Sequence, residues 1–177
     1  MNYALIKPRD IADGPGIRVS LFVSGCRHHC KGCFNPETWP FEYGSEYTSD
    51  TQAEILELLA QPYIRGLSLL GGEPFEPENQ PAVLGLTRAV RERFPDKTIW
   101  CYSGYTFETD LLAGRLGDPA VTMALLEELD VLVDGEFHLA EKNPGLRFRG
   151  SGNQRLIDVK RSLQAGETIL WDETEEP

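Results

Sequence analysis

Three of the four cysteines of the chain lie within Ser24-Gly25-Cys26-Arg27-His28-His29-Cys30-Lys31-Gly32-Cys33-Phe34-Asn35, spaced C-x3-C-x2-C. Thiols this close cannot all project one way from a regular helix or strand, so the backbone must curl around something. Gly25 and Gly32 supply the backbone freedom for that curl. Thiolates are soft ligands that select zinc, copper(I) or an iron–sulfur cluster. A [4Fe–4S] cluster commonly takes four cysteines, so three would leave one iron open to a small molecule. The fourth cysteine, Cys101, sits in an apolar run and reads as a small core residue. Two plainer readings compete: structural zinc with His28 or His29 as the fourth ligand, and a chance grouping of buried cysteines.

The 177 residues, 41% hydrophobic, are enough for a single domain over 1–177 with its own core. No apolar run approaches the roughly 20 residues that span a membrane. Residues 1–15 lack the apolar core and cleavage site of a secretory signal. Clustered cysteines without export point to metal ligation in a reducing cytoplasm rather than to disulfides. A formal net charge of −11 argues against nucleic acid or an anionic membrane as partner.

Along the chain, Asp10–Arg18 contains a Gly-Pro-Gly turn, and Ile17–Ser24 reads as a strand that delivers the cysteine loop. Ser49-Asp50-Thr51-Gln52 has capping-box spacing ahead of a helix that Pro62 closes. Gly66–Leu70 is a second strand, ending at Gly71-Gly72-Glu73-Pro74, where paired glycines mark either close approach of another group or a plain turn. A helix from near Pro81 to Phe94 follows, then a strand over Lys97–Gly104 with a glycine at its end. Phe107–Leu116 and Pro119–Leu129 read as helical, the second capped by Asp118. Asp130–Gly135 is a further strand, again ending in glycine, and Asp134 is either a site residue or ordinary aspartate–glycine turn chemistry. Gln154–Val159 and Thr168–Trp171 read as short late strands, and the acidic tail 172–177 as frayed. Alternating strands and helices imply right-handed crossovers and a mainly parallel α/β sheet. At this length it is an incomplete (β/α) barrel, since a full one takes about 250 residues.

One stretch runs against the overall charge: Lys142, Arg147, Arg149, Arg155, Lys160 and Arg161 face only Asp158. Its glycine-rich centre, Arg149–Arg155, is either a solvated loop or a clamp for a carboxylate or a partner's backbone, for which the arginine fork is suited.

Cys26-x3-Cys30-x2-Cys33 followed by Gly71-Gly72-Glu73-Pro74 resembles the radical S-adenosylmethionine (SAM) enzymes. Asp13-Gly14-Pro15-Gly16-Ile17-Arg18 narrows the resemblance to the glycyl-radical-enzyme activases. Asn35-x-x-Thr38-Trp39, Asp134-Gly135-x-Phe137 and Arg149-Gly150-Ser151-x-Asn153-Gln154-Arg155 are similar to the branch that serves anaerobic ribonucleoside-triphosphate reductase. The resemblance implies one [4Fe–4S] cluster on Cys26, Cys30 and Cys33, with SAM on its open iron. It implies SAM contacts at Gly32, Cys33, Phe34, Gly71, Gly72 and Glu73, with Phe34 beside the adenine. Here Gly32 replaces the aromatic that usually precedes the third cysteine. The implied activity is reductive cleavage of SAM to make a glycyl radical on the reductase, fed by a low-potential donor such as reduced flavodoxin or ferredoxin. Alternatives are an activase of another glycyl-radical enzyme, of the pyruvate formate-lyase type, and a non-catalytic zinc or iron–sulfur module.

Overall fold

The structure, a computed structural model, describes residues 1–174. One seven-stranded sheet forms the frame: β1 (Asn2–Asp10), β2 (Ile17–Val23), β3 (Ser45–Glu46), β4 (Ile64–Gly71), β5 (Thr98–Tyr102), β6 (Val131–Asp134) and β7 (Arg155–Asp158), in the order β3-β1-β2-β4-β5-β6-β7. Strands β2, β4, β5 and β6 are parallel neighbours, while β1 and β7 run antiparallel to theirs. The sheet is therefore mixed, with a parallel centre, and it is open. Helices α1 (Ser49–Leu59), α2 (Gln80–Arg93), α3 (Pro119–Glu128) and α4 (Val159–Ala165) complete the frame. Among the described residues no helix is long and apolar enough to cross a membrane.

The central strands are apolar because both faces are covered. Val19, Leu21, Val23, Leu67, Leu69, Ile99, Cys101 and Leu132 are fully buried and join the core with Ile55, Leu59, Val83, Leu86 and Val90 from the helices. Cys101 is thus the core residue that the sequence suggests.

At the amino ends of these strands Arg18 is completely buried. Its guanidinium donates to Ser68 Oγ (2.7 Å), Thr98 Oγ1 (2.9 Å) and the Leu67 and Thr98 carbonyls (2.8 and 2.9 Å), and lies over the Trp100 ring. Burial pushes its pKa down to about 10. Gly14, at φ +122°, closes over this side chain, and a Cβ there would stand 2.9 Å from Arg18. Ser68 Oγ then donates to the Asp13 carbonyl, so the Asp13–Arg18 run is a loop folded back over its own arginine.

Several local expectations change. β1 is unforeseen in the sequence because Pro8 interrupts it; β3 pairs only with Asn2 and Tyr3, so Pro8 falls where β1 is an edge strand. The α1 cap is Thr48 with Thr51, one residue before the expected Ser49. Phe107–Leu116 shortens to a π-helical turn over Phe107–Leu111. The late strand ends at Asp158, whose carboxylate caps α4 through the Arg161 N–H at 3.0 Å. The stretch Thr168–Trp171 contributes only one bridge, Leu170 to Ile157. The tail is held as far as Glu173, whose carbonyl accepts from Arg147 and whose carboxylate meets Arg149 at 2.8 Å; residues 175–177 lie outside the described residues.

Candidate active site

The carboxyl ends of β2, β4, β5 and β6 open at one edge of the sheet, where parallel α/β sheets place their ligand crevices. A cavity of about 450 Å³ lies there, and Cys26, Cys30, Cys33, Phe34, Gly71, Gly72 and Glu73 all line it. That volume is in the range of small-molecule and cofactor sites. Gly32 is not among the residues that line it; at φ +79°, a Cβ there would stand 2.9 Å from the Leu139 side chain.

The cysteine loop is held by its backbone. Ser24 N–H donates to the Asn2 carbonyl (3.0 Å), Gly25 N–H to Thr38 (2.7 Å) and Cys26 N–H to Trp39 (3.0 Å). The glycine turn after β4 binds it from the other side, with Gly72 N–H on the Val23 carbonyl (2.7 Å) and Glu73 N–H on Gly25 (2.8 Å). A Cβ on Gly72 would sit 2.6 Å from the Gly25 oxygen, and one on Gly71 would sit 2.8 Å from β2 backbone. The close approach that the paired glycines signal is that of the cysteine loop and β2. With both N–H groups used, this turn can offer a ligand carbonyl oxygens.

Glu73 is buried, and its carboxylate accepts from Phe75 N–H (2.9 Å), Ser103 Oγ (2.9 Å) and Gly104 N–H (2.7 Å). His28 Nε2 lies 3.4 Å from the same group, while its Nδ1 is 2.9 Å from Glu136. Burial alone would lower the His28 pKa, but these two carboxylates outweigh it and hold it up at about 9. The Glu73 side chain therefore ties the loop to the end of β5. His29, at φ 50°, stacks against Trp39 with ring centroids 4.7 Å apart.

All three clustered cysteines are free thiols and half-buried. Burial, and then the nearby Glu73 carboxylate, push Cys26 up to about 12; burial also raises Cys30. Backbone N–H groups of His28 and His29 act against that rise at Cys26 and that of Phe137 at Cys30, and Asn35 N–H donates to Cys33 Sγ at 3.4 Å. Soft sulfur donors with N–H support fit an iron–sulfur cluster, and loading it must displace the thiol protons. A zinc site fits less well. Both candidate histidines are engaged elsewhere, His28 between Glu73 and Glu136 and His29 against Trp39.

Phe34, 60% exposed, rests against Phe137 (centroids 5.1 Å) with the Lys142 ammonium 5.1 Å above it. Asp13 lines another part of the wall; burial and its hydrogen bond to Asp10 raise its pKa to about 7. The basic segment is largely occupied within the chain. Arg155 forks onto buried Asp134 (2.9 and 2.5 Å) and onto Glu108 (2.9 and 2.7 Å), so the carboxylates it clamps are the protein's own. Asp134 also accepts the Phe107 N–H at 2.9 Å and is a structural hub outside the cavity. Asn153 donates to the Glu136 carbonyl, and Gln154 bonds Gly135, Gly150 and Ser151. Lys7, Tyr102 and Ser103 also line the cavity, and nothing in the sequence around the first two marks them for it. Ser103-Gly104 at a strand end was the available signal for the last.

Fold and site thus describe a cysteine-loop α/β protein, and the family described as a 4Fe-4S single cluster domain matches residues 12–157. The anaerobic ribonucleoside-triphosphate reductase-activating protein of Vibrio cholerae is 46% identical over 156 residues, 87% of this chain and 96% of the relative. Proteins of the same name from Enterobacteria phage T4 (41%; 88% and 93% covered) and Escherichia coli K12 (40%; 87% and 96%) align similarly. The chain belongs to the family of anaerobic ribonucleoside-triphosphate reductase-activating proteins.

Proposed function

We propose that this chain is a radical SAM activase that makes a glycyl radical on an anaerobic ribonucleoside-triphosphate reductase. The observation that carries the reading is the opening of Cys26, Cys30 and Cys33 onto one cavity bounded by the Gly71–Glu73 turn. In this reading the three thiolates hold a [4Fe–4S] cluster whose remaining iron takes SAM. When bound, the cluster would supply the single electron for reductive cleavage of SAM, the chemistry from which the partner's glycyl radical would derive. A low-potential donor such as reduced flavodoxin or ferredoxin provides that electron, in a cytoplasmic setting.

The chain's own residues bind, orient and exclude water. Glycine carbonyl oxygens of the Gly71-Gly72 turn suit the SAM ammonium, a donor-only group; the Glu73 carbonyl is taken by Asn79 and Glu76. Phe34, backed by Phe137 and Lys142, offers a ring face for the adenine. Glu73 acts through His28, Ser103 and Gly104, fixing the cysteine loop against β5. The open sheet serves as an incomplete (β/α) barrel, and residues 1–177 as one domain. Anaerobically reconstituted protein, reduced with dithionite and given SAM, is expected to release methionine and 5′-deoxyadenosine on chromatography. Full iron loading without either product overturns the reading.

A further inference from the structure

Among the described residues, four of the cavity wall carry a buried polar side-chain atom with no hydrogen-bond partner: His28 Nε2, Trp39 Nε1, Tyr102 Oη and Arg149 Nε. The Tyr102 hydroxyl and Arg149 Nε are both sealed from solvent and lack a hydrogen-bond partner among the described residues, yet both residues line the cavity. Such groups cost about 1–3 kcal/mol each when left unsatisfied, and orphaned buried donors are rare unless a ligand completes them. They belong to one part of the wall: Tyr102 and Phe148 pack on the same Trp100–Val131–Val133 cluster, and Arg149 follows Phe148 directly.

The backbone there is also strained. Phe148 adopts φ 56°, a region that bulky side chains avoid. The Trp100 and Trp171 rings, 5.3 and 6.3 Å away, hold it in place. That kink sets the course of the chain into Arg149.

The chemistry of the wall selects the ligand. One terminal nitrogen of Arg149 already meets Glu173 at 2.8 Å, and Asp13 and Lys7 share the lining. Asp10, beside Asp13, draws Lys7 to 3.5 Å. With carboxylates balancing both cations, a phosphate or carboxylate gains little here, whereas a neutral acceptor meets two ready donors.

We propose that Tyr102 Oη and Arg149 Nε form a two-point clamp for backbone carbonyls of an extended peptide segment, namely the glycine-bearing stretch of the reductase. The clamp rests on the activase reading and adds its recognition residues. Within the basic segment, Arg155 and Asn153 are spent on contacts inside the chain away from the cavity, whereas Arg149 lines it and keeps a donor for the partner.

The test is direct binding by the cluster-loaded full chain, under anaerobic conditions with SAM present. The probe is a fluorescently tagged synthetic peptide covering the radical-glycine segment of the reductase from the same organism, followed by anisotropy. Tyr102→Phe removes only the hydroxyl; Arg149→Lys keeps a cation for Glu173 and removes Nε. Each is expected to raise Kd about threefold to tenfold, the loss of one hydrogen bond. Arg161→Gln, on the far face beside Asp158, should leave Kd unchanged. Wild-type affinity in both cavity variants, with iron content and circular dichroism intact, overturns the clamp alone. The same holds if both lose SAM affinity while keeping the peptide. Failure of the wild-type protein to bind peptide or whole reductase would instead remove the activase reading, and the clamp with it.

Discussion

Replacing Gly72 by alanine should damage the cysteine loop rather than merely obstruct a ligand. The added Cβ would lie 2.6 Å from the Gly25 carbonyl oxygen and 3.1 Å from its carbon and nitrogen. These are backbone atoms, with no flexible side chain to swing aside. Ordinary contact begins near 3.4 Å, so the two segments must part by roughly 0.8 Å. Movement of that size breaks or weakens the hydrogen bonds from Gly72 N–H to Val23 and from Glu73 N–H to Gly25. At about 1 kcal/mol per bond, plus residual crowding, the expected loss is about 2–3 kcal/mol. Gly72→Ala should therefore lower the urea midpoint and reduce iron and sulfide per chain after anaerobic reconstitution; Gly72→Val should do both more strongly. A Gly72→Ala protein with wild-type midpoint and full iron would refute this packing argument. A protein that keeps its iron but no longer responds to SAM would instead show that the glycine faces the ligand.

Alanine at Cys26, Cys30 or Cys33 should each abolish most iron binding, while Cys101→Ala, in the core of β5, should keep the iron and lose only stability; equal iron loss at Cys101 would indicate a four-thiolate site. Arg155→Ala leaves the buried Asp134 carboxylate without its cation and should cost about 2–3 kcal/mol in denaturant unfolding, less than a fully buried pair because Arg155 is 36% exposed. Glu108→Gln, on the exposed arm of the same fork, should cost under about 1 kcal/mol, and comparable losses would misplace the hub. Asp13, raised from 3.8 to about 7, holds a proton in the folded state that the unfolded chain has released. Its contribution to stability therefore falls as pH rises from about 4 to 7 and is level above that. The stability difference between wild type and Asp13→Asn should follow that course; a difference flat across this range would contradict the Asp10–Asp13 pairing.

Much of the site was legible because its residues are fixed by chemistry that leaves marks in sequence. Clustered cysteines, paired glycines and the Gly-Pro-Gly turn all state a local backbone demand; the first two fall at the carboxyl edge of the sheet, and the turn packs over Arg18 at the amino ends. The partners of those residues were less legible because the pairings are long-range. Nothing in the neighbourhood of Glu73 says that its carboxylate is taken by Ser103, Gly104 and His28 rather than kept for a ligand. Likewise Arg155 reads as a free basic residue until folding brings Asp134 and Glu108 to it. In the fold, the central parallel strands announced themselves as apolar runs. The outer elements did not: β1 is broken by Pro8, and α4 is only seven residues long, though Asp158 before it and Gly166 at φ 72° after it are its cap signals.

The central claim is that Cys26, Cys30 and Cys33 present an open iron to SAM in this cavity and thereby deliver a radical to the reductase. Electron paramagnetic resonance tests it most directly, on reconstituted protein mixed anaerobically with the reductase, dithionite and SAM. The account predicts that SAM alters the spectrum of the reduced cluster, and that a glycyl-radical doublet then appears on the reductase, absent when any of the three cysteines is alanine. A cluster spectrum indifferent to SAM, with no radical on the reductase despite full iron loading, would contradict it.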